Sequence, residues 1–473
     1  MTVTTHSEQD TGALTAADRA AQGKAARTTT PRSSHADYHP ATDRSDPIEI
    51  LERQARTRVP DLVPIRYGRM LASPFAFYRG GAAIMAEDLA PTPRSGLTVQ
   101  CCGDAHLSNF GVFASPDRRL VFDVNDFDET LPGPWEWDVK RLAASILIAA
   151  RSNDFRRRDQ RRAVLDCVAT YRTTMARFAA MGDLDVWYSR IEIESVLAQY
   201  ADQFKPRAVK DTRKLLAKAR TKNSSSALTK LTEIVDGKPR IVDASPLIVP
   251  IHKLGGARER EGTMDDVRRI LGAYRDSLPI ERQHLLNQFE FTDLARKVVG
   301  VGSVGTEAWI ALFLGPVDNE PLFLQIKEAQ PSVLEDLVGK SEFDNHGERV
   351  VVGQRLMQAS SDIFLGWLRV DAGTDDQTDY YARQLKDWKG SAEIDQMNAA
   401  ALAAYGRLCG GTLARAHART GDRVAIASYL GTSDTFDQAI LAFAEAYGEQ
   451  NERDHQALQA AAASGRIVAE TGV

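Results

Sequence analysis

One short polar loop carries an aspartate and an asparagine at the spacing that phosphoryl transfer uses. The loop reads Gly103-Asp104-Ala-His106-Leu-Ser-Asn109 and lies between two short apolar runs. In phosphoryl transfer an aspartate orients the acceptor hydroxyl and accepts its proton, while an asparagine amide oxygen on the same loop binds Mg²⁺. We therefore expect Asp104 to be the catalytic base and Asn109 to be a metal ligand.

A further carboxylate for the metal follows the next apolar run. Asp126, in Asn125-Asp126-Phe127-Asp128, stands where a kinase places the aspartate that holds Mg²⁺ against the phosphates. Asp123 and Asp128 remain alternatives, and simple turn roles would also explain these residue types. Asp138 begins a predicted helix and is expected to cap backbone N–H groups and hold the loop.

A glycine-rich motif occurs far downstream, at Gly300-Val-Gly302-Ser303-Val-Gly305. A dinucleotide-binding version of this motif must lead directly into a helix. Here an aromatic and apolar run follows, then a Gly-Pro turn and a second run that ends at Lys327. This order predicts a hairpin whose glycine loop covers phosphates, with Lys327 reaching the α- and β-phosphates.

A kinase lysine is positioned by a carboxylate on the following helix. Glu348 is the first candidate for this ion-pair partner of Lys327, and Glu335 is the alternative. A solvent-facing role on an amphipathic helix would also explain Glu348. We expect Asp104, Lys327 and Glu348 to form the catalytic set.

The elements that position these residues are segregated along the chain. Residues 46–290 read mainly as helices that carry the catalytic and metal loops, residues 291–389 as a β-rich block, and residues 390–473 as helices again. Residues 1–45 are polar and are expected to form a disordered tail. The pattern predicts an α+β fold with a large helical lobe and a small β-rich nucleotide lobe.

Composition narrows the classes of function. The 473 residues carry a net charge of −5 and are 43% apolar, and no run is long and apolar enough to cross a bilayer. A cytoplasmic protein without membrane contact is therefore expected, and nucleic acid is an unlikely partner. Two basic blocks, Arg156–Arg162 and Lys205–Lys222, are interpreted mainly as solvated helix faces, with a docking surface for a phosphate-rich substrate or RNA as the alternative. The four cysteines lack metal spacing and are expected to be buried.

These motifs resemble those of kinase-like phosphotransferases of the aminoglycoside and choline kinase type. The loop at Asp104 matches their catalytic loop, with Cys102 in place of a histidine, and Asp126 with Asp138 matches their metal strand. Gly411-Thr-Leu-Ala-Arg-Ala-His417 resembles the helix that precedes that loop in the family. Because this helix, the glycine motif and the lysine all follow the loop here, the resemblance implies a two-lobed, protein-kinase-like fold that is circularly permuted.

The chain from about Pro47 onward also resembles the bacterial family of domain of unknown function 2252. The resemblance rests on Ser73-Pro-Phe-Ala-Phe-Tyr-Arg-Gly80, the motifs above, and Gln384-Leu-Lys-Asp-Trp-Lys389. This resemblance supports the predicted domain boundaries and names no substrate.

The expected function is transfer of the ATP γ-phosphate, with Mg²⁺, to a hydroxyl of a small molecule or a protein. Arg69 and Arg79 are candidate substrate contacts. The alternatives are a nucleotide-binding pseudokinase scaffold, or a kinase-like enzyme that transfers AMP. An RNA- or partner-binding protein is least favoured because it needs neither Lys327 nor the loop at Asp104. The acceptor and the oligomeric state are not predicted.

Overall fold

The α+β class predicted from the sequence is confirmed by a computed structural model, which describes residues 14–194, 214, 216–254, 259–298, 304–371, 377–385 and 387–472. Helices predominate, and several antiparallel sheets lie among them. The α-helices are α1 (Ala16–Thr29), α2 (Pro47–Ala55), α3 (Val63–Leu71), α4 (Pro74–Gly80), α5 (Ala82–Leu89), α6 (Trp135–Ser152), α7 (Arg157–Ala179), α8 (Asp183–Tyr188), α9 (Ser224–Leu231), α10 (Glu259–Asp276), α11 (Ile280–Leu286), α12 (Glu335–Val338), α13 (His346–Met357), α14 (Ala399–Thr420), α15 (Arg423–Leu430) and α16 (Thr435–Ala463). The strands are β1 (Thr98–Cys101), β2 (Phe110–Ala114), β3 (Leu120–Val124), β4 (Leu131–Pro134), β5 (Ile191–Glu192), β6 (Thr232–Val235), β7 (Lys238–Ile241), β8 (Ile248–Pro250), β9 (Glu290–Lys297), β10 (Ala308–Leu314), β11 (Pro321–Glu328), β12 (Gly366–Asp371), β13 (Gln377–Gln384) and β14 (Gly390–Ser391).

The largest sheet has six strands in the order β12-β13-β11-β10-β9-β8, and neighbouring strands are antiparallel. Side chains of a strand alternate between the two faces of a sheet. On β11, Leu322, Leu324 and Ile326 therefore join the apolar cluster that includes residues of α10. Lys327 belongs to the opposite set, and in the register it lies between Ala308 of β10 and Tyr381 of β13.

Two smaller sheets frame the loops on which the chemistry is expected. Strand β1 pairs with β4, and β2 pairs with β3 in a sheet of order β14-β2-β3-β5. Cys101 lies opposite Leu131 and Phe110 lies opposite Val124. The catalytic loop (residues 102–109) and the acidic loop (residues 125–130) therefore both connect the β1–β4 pair with the β2–β3 pair.

The main core is helical and lies beneath those loops. Helix α6 is buried along almost all its length, and α14 and α16 pack with α6 and α7 around it. Trp135 stacks on Tyr171 with ring centroids 5.7 Å apart, an arrangement that adds specific aromatic contact to the burial of area. This core fixes the start of α6, which carries Asp138.

The expectation of a disordered tail over residues 1–45 is wrong for residues 14–45. Helix α1 packs on α15, and His35 and Tyr38 are buried. Arg27 and Arg32 donate to the last backbone carbonyls of α15, which have no partners within that helix. A few polar anchors thus order a segment whose composition indicated disorder. Residues 1–13 lie outside the described residues.

The boundaries of the β-rich part also differ from the expectation. The range 46–290 contains the hairpin β6–β7 and strand β8, which extends the large sheet. Strand β14, just beyond residue 389, pairs with β2 of the other sheet. Among the helices of the described residues, none is long and apolar enough to span a membrane.

Candidate active site

Asp138 fastens the catalytic loop to the helical core. Its carboxylate accepts hydrogen bonds from the backbone N–H of Cys102 at 2.6 Å and of Gly103 at 3.0 Å. His417 of α14 lies 3.1 Å from the same carboxylate, and its other ring nitrogen lies 2.9 Å from the Tyr171 hydroxyl. The loop-holding role expected of Asp138 is therefore present. The helix around His417 lies against the loop although it is distant in sequence.

Asp104 is held by an arginine from α6. The Nε and Nη2 atoms of Arg141 lie 2.7 Å and 2.6 Å from Oδ1 of Asp104. The other oxygen, Oδ2, lies 3.7 Å from Nε2 of His106. Burial lowers the pKa of His106 to about 4, so the ring is neutral near pH 7. Its Nδ1 accepts from the N–H of Ser108, which puts the ring proton on Nε2, facing Asp104.

Asn109 closes the same loop from its other end. Its Nδ2 donates to the backbone carbonyl of Asp104 at 2.8 Å. An amide that donates through nitrogen keeps its Oδ1 for another partner, and carbonyl oxygens are suitable ligands for Mg²⁺. Asp104 and Asn109 both border the cleft described below.

The acidic loop distinguishes among the three candidate metal carboxylates. Asp123 is buried within β3 and pairs with Arg415 of α14, away from the cleft. Asp126 and Asp128 border the cleft, with 32% and 28% of their side chains exposed. Burial and the charge of Asp128 raise the pKa of Asp126 despite the nearby Lys327. Asp123 is therefore a structural residue, and two carboxylates remain at the cleft.

Lys327 lies between the two sheets and pairs with both of these carboxylates. Its Nζ lies 2.6 Å from Asp128 and 3.8 Å from Asp126, and it is buried. Tyr381 donates its hydroxyl to the other oxygen of Asp128 at 2.6 Å. Burial opposes the charge of Lys327, but Asp126 and Asp128 raise its pKa above the ordinary value. Burial also opposes the charge of Asp128, and Lys327 more than offsets it, so its pKa is lowered.

The ion-pair partner proposed for Lys327 is wrong, since the ion pairs of Lys327 among the described residues are with Asp126 and Asp128. Glu348 lies in the first turn of α13, partly exposed, and the alternative, Glu335, lies within 4 Å of Lys340 and His346 instead. The following residue, Arg349, is buried and points inward.

Arg349 carries the contact between α13 and the acidic loop. Its guanidinium donates to the backbone carbonyls of Asp128, Thr130 and Gln330 at 2.7–2.9 Å. Successive residues of a helix lie about 100° apart around its axis, so an error of one position turns the side chain to another face. Helix α13 thus holds the acidic loop through hydrogen bonds from Arg349 to backbone carbonyls, and not through an ion pair between Glu348 and Lys327.

The glycine motif is described only at its end. Gly300, Gly302 and Ser303 lie outside the described residues. Gly305 has φ of +93°, a conformation that favours glycine, and its carbonyl accepts from the N–H of Val59 at 2.7 Å. The motif connects β9 with β10, as the predicted hairpin requires, and the next residue, Thr306, borders the cleft.

These loops and strands surround one cleft of about 230 Å³. Its charged lining is balanced between the two signs. The cations are Arg58, Arg66, Arg79, Arg383 and Lys327, and the carboxylates are Asp104, Asp126, Asp128, Glu129 and Glu328. Such a lining suits a polar, multiply charged ligand with a cation, and it brings Asp104, Asn109, Asp126 and Lys327 to one place.

Glu129 has an unusual protonation behaviour within this lining. Burial raises the pKa of Glu129 to about 7, although the N–H of Val333 donates to its carboxylate. Burial similarly lowers the pKa of Lys389 to about 7, with Arg383 acting in the same direction. Perturbed groups gathered at a cleft are typical of functional sites, although ion-pair networks also produce them.

Several of these residues were missed by sequence reasoning. Arg141 lies three residues after Asp138 on α6, so one helical turn places both toward the same loop. That spacing is the signal that would have found it. Arg66 and Glu129 gave no signal, because an isolated arginine or glutamate is usually exposed. Of the two proposed substrate contacts, Arg79 borders the cleft and Arg69 is not among its lining residues.

The remaining predicted features have plain structural roles or are not described. All four cysteines are free and buried, as expected. In the first basic block, Arg157 and Arg161 lie near Glu445, and Arg162 lies near Asp166. Much of the second block lies outside the described residues.

The site fits a magnesium ion that is held together with phosphates. Within the described ranges, no group of three His, Cys, Asp or Glu side chains is arranged as a metal site of its own. Mg²⁺ in nucleotide enzymes is usually bound by one or two carboxylates together with substrate phosphates and water. That donor set is provided by Asp126, which is partly exposed and beside a second carboxylate, and by Oδ1 of Asn109, for which the described part of the chain offers no partner.

The comparisons with known proteins identify a family. No curated protein and no solved structure matches this sequence. A family model described as an uncharacterized protein conserved in bacteria, DUF2252, matches residues 58–461, which is most of the chain. The matched range includes the catalytic loop, the acidic loop, Lys327 and His417. The chain therefore belongs to the bacterial DUF2252 family.

Proposed function

We propose that the chain is an ATP- and Mg²⁺-dependent phosphotransferase that moves the γ-phosphate to a hydroxyl group. One observation carries this proposal: Lys327, Asp126, Asn109 and Asp104 line a single cleft, although they come from separate sheets and distant parts of the sequence. Those are the residue types that phosphoryl transfer employs.

The chain's own residues divide the work as follows. Lys327 neutralises phosphate charge from the side of the six-stranded sheet, and Asp126 with Asn109 holds the metal. Both nitrogen contacts of Arg141 go to Oδ1 of Asp104, which leaves Oδ2 to orient the acceptor hydroxyl and to take its proton. Bound Mg²⁺ would supply electrostatic stabilisation of the charge that develops on the transferred phosphoryl group.

The same contacts support a circularly permuted kinase-like fold. The glycine turn, the lysine strand and helix α13 follow one another, and a helix that ends near His417 contacts the base of the catalytic loop through Asp138. Joining the present chain ends and opening the chain between Asp138 and Gly300 would restore the kinase order. Glu470 donates to Pro64, so the C-terminal end lies near the first helices, and permutation is tolerated where ends fall at the surface.

A radiolabel experiment tests the function. Purified protein is incubated with Mg²⁺ and either γ-labelled or α-labelled ATP, together with candidate acceptor mixtures, and Asp104→Asn and Lys327→Met serve as controls. Transfer of the γ-label, lost in both variants, is the expected result. Transfer of the α-label would indicate AMP transfer, and binding without transfer would indicate a scaffold. Absence of nucleotide binding by calorimetry would overturn the proposal.

A further inference from the structure

A buried arginine that lines the cleft has no counter-ion among the described residues. Arg66 of α3 is 1% exposed, and its Nη2 donates to the side chain of Gln54 at 2.9 Å and to the carbonyl of Gly80 at 3.1 Å. Its Nε and Nη1 have no hydrogen-bond partner among the described residues. Both acceptors of Arg66 are neutral, so they do not balance its charge.

Such an arrangement is costly unless a ligand completes it. An unpaired buried charge disfavours the folded state, and burial, with the nearby Arg58, lowers the pKa of Arg66 well below its ordinary value. An apolar side chain at this position would avoid that cost. The arginine therefore points to an anion that enters the cleft.

Arg79, the residue before Gly80, lines the same cleft. Its Nε is buried without a hydrogen-bond partner, and within the described part of the chain no ion pair of Arg79 is formed. The charge of Asp104 acts on it through space, and Arg79 also acts on His106. Arg79 is thus a second cation with unused donors, close to the catalytic loop.

A helix start adds backbone donors between these arginines. Helix α5 begins after Gly81, and among the described residues no side chain caps its first turn. Ala82, its first residue, borders the cleft together with Gly80. The N-terminus of a helix favours anions because its first N–H groups lack partners within the helix and carry partial positive charge.

Short contacts tie this group to the catalytic loop. Arg141, which holds Asp104, also donates to the carbonyl of Tyr78 at 2.9 Å, and Tyr78 donates its hydroxyl back to the carbonyl of Arg141. Residues 78–80 therefore connect Asp104 with Arg79, and through Gly80 with Arg66. Lys327 approaches the same cleft from the six-stranded sheet.

We propose that Arg66, Arg79 and the N-terminus of α5 bind a phosphate group of the acceptor, so that the acceptor is a hydroxyl-bearing phosphorylated small molecule. The proposal rests on the proposed function, since it assigns the second substrate of that site. In the step, the acceptor oxygen bonds to the γ-phosphorus, the bond from that phosphorus to the β–γ bridging oxygen breaks, the hydroxyl proton goes to Asp104, and ADP leaves. Two phosphates of different molecules are thereby bound in one cleft.

The experiment measures thermal unfolding with inorganic phosphate as the probe, in the presence of Mg²⁺ and saturating ADP. Phosphate is expected to raise the midpoint temperature of thermal unfolding of the wild-type protein. Arg79→Met and Arg66→Met are expected to weaken phosphate binding on the order of tenfold or more, because each removes charge-assisted hydrogen bonds. Arg56→Met, which changes an exposed arginine outside the cleft, is the matched control and keeps the shift.

A change of nucleotide shows whether the arginines bind the phosphate of the acceptor or the γ-phosphate of ATP. With a non-hydrolysable ATP analogue in place of ADP, the phosphate shift persists if the arginines serve the acceptor. It disappears if they hold the γ-phosphate, which would overturn the proposal, as would a phosphate shift that Arg79→Met leaves unchanged. An ADP shift without a phosphate shift would overturn this proposal alone. A phosphate shift without any nucleotide shift would overturn the proposed function and the acceptor assignment with it.

Folding is checked separately. Arg66→Met replaces an unpaired buried charge with an apolar side chain of similar length, so its unfolding midpoint without ligand should stay near the wild-type value. Arg79→Met changes a side chain that has no polar partner in the described structure. A loss of the phosphate shift at an unchanged midpoint therefore reports on binding and not on folding.

Discussion

The ammonium of Lys327 lies 2.6 Å from the carboxylate of Asp128, although 199 residues separate them in the chain. Tyr381 donates to the second oxygen of the same carboxylate. This contact joins the six-stranded sheet to the acidic loop and so sets the distance between the two sides of the cleft. Its formation brings the lysine to Asp126 as well.

Replacing this lysine by Lys327→Met should both weaken nucleotide binding and destabilise the protein. Removal of one partner of a buried ion pair leaves an unpaired charge and costs about 3 kcal/mol. Combining Lys327→Met with Asp128→Asn should cost less than the sum of the two single changes, because the pair is lost only once. Urea unfolding of the wild type, the two single variants and the double variant measures the coupling free energy. If the two losses of stability simply add in the double variant, the contact is weak.

The Asp104→Asn variant should keep nucleotide binding and lose transfer. An amide retains a hydrogen bond to Arg141 but cannot take the hydroxyl proton, so the rate should fall about 10²- to 10⁴-fold. Calorimetry with a non-hydrolysable ATP analogue should give an affinity close to that of the wild type. Asp61→Asn, at an exposed position, serves as the matched control. Equal rates in Asp104→Asn and the wild type would remove Asp104 from the chemistry.

Much of the local structure was accessible from the sequence. The run before Gly103 and the run before Asn125 form β1 and β3, because short apolar runs between turn residues favour strands. The spacing from Asp104 to Asn109 is short enough that one loop brings both to the same place. That Lys327 meets this loop was expected only through the resemblance to kinase-like proteins, since local patterns carry no information on pairing across the chain.

The predictions that differ from the structure failed for identifiable physical reasons. The partner of Lys327 was chosen as a carboxylate on the helix that follows it, but on that helix the inward-facing residue is Arg349, one position after Glu348. The segment after residue 14 was expected to be disordered because its composition is polar, yet a handful of hydrogen bonds from Arg27 and Arg32 dock it on α15. Buried charges such as Arg66 contradict the pattern of polar residues outside and cannot be found from that pattern.

Removing the anchor of the catalytic loop in Asp138→Ala should destabilise the protein by about 2–6 kcal/mol. The change leaves the buried N–H groups of Cys102 and Gly103 without an acceptor, and each such group costs about 1–3 kcal/mol. Asp138→Asn keeps one acceptor oxygen, so it should lie between the wild type and the alanine variant. Hydrogen exchange of these two amides should accelerate in the same order. Equal effects of the two substitutions would argue against the anchoring role.

The protonation of Glu129 should appear in the pH dependence of stability. Burial raises the pKa of Glu129 from the ordinary 4.5 to about 7. Between these values the unfolded state loses the proton while the folded state keeps it, so this residue lowers the free energy of unfolding as the pH rises from 4.5 to 7. Below pH 4.5 the ionisation of Glu129 does not change the free energy of unfolding. Above pH 7 it lowers the free energy of unfolding by a constant amount of about 3 kcal/mol.

Glu129→Gln should therefore remove this loss. A glutamine can still accept from the N–H of Val333 and has no proton to lose, so the variant should match the wild type at pH 4 and be more stable at pH 8. Urea unfolding at several pH values measures the difference, with Glu320→Gln at an exposed position as control. The difference between wild type and Glu129→Gln should grow through the interval from pH 4.5 to 7, and parallel pH profiles would show that Glu129 ionises normally.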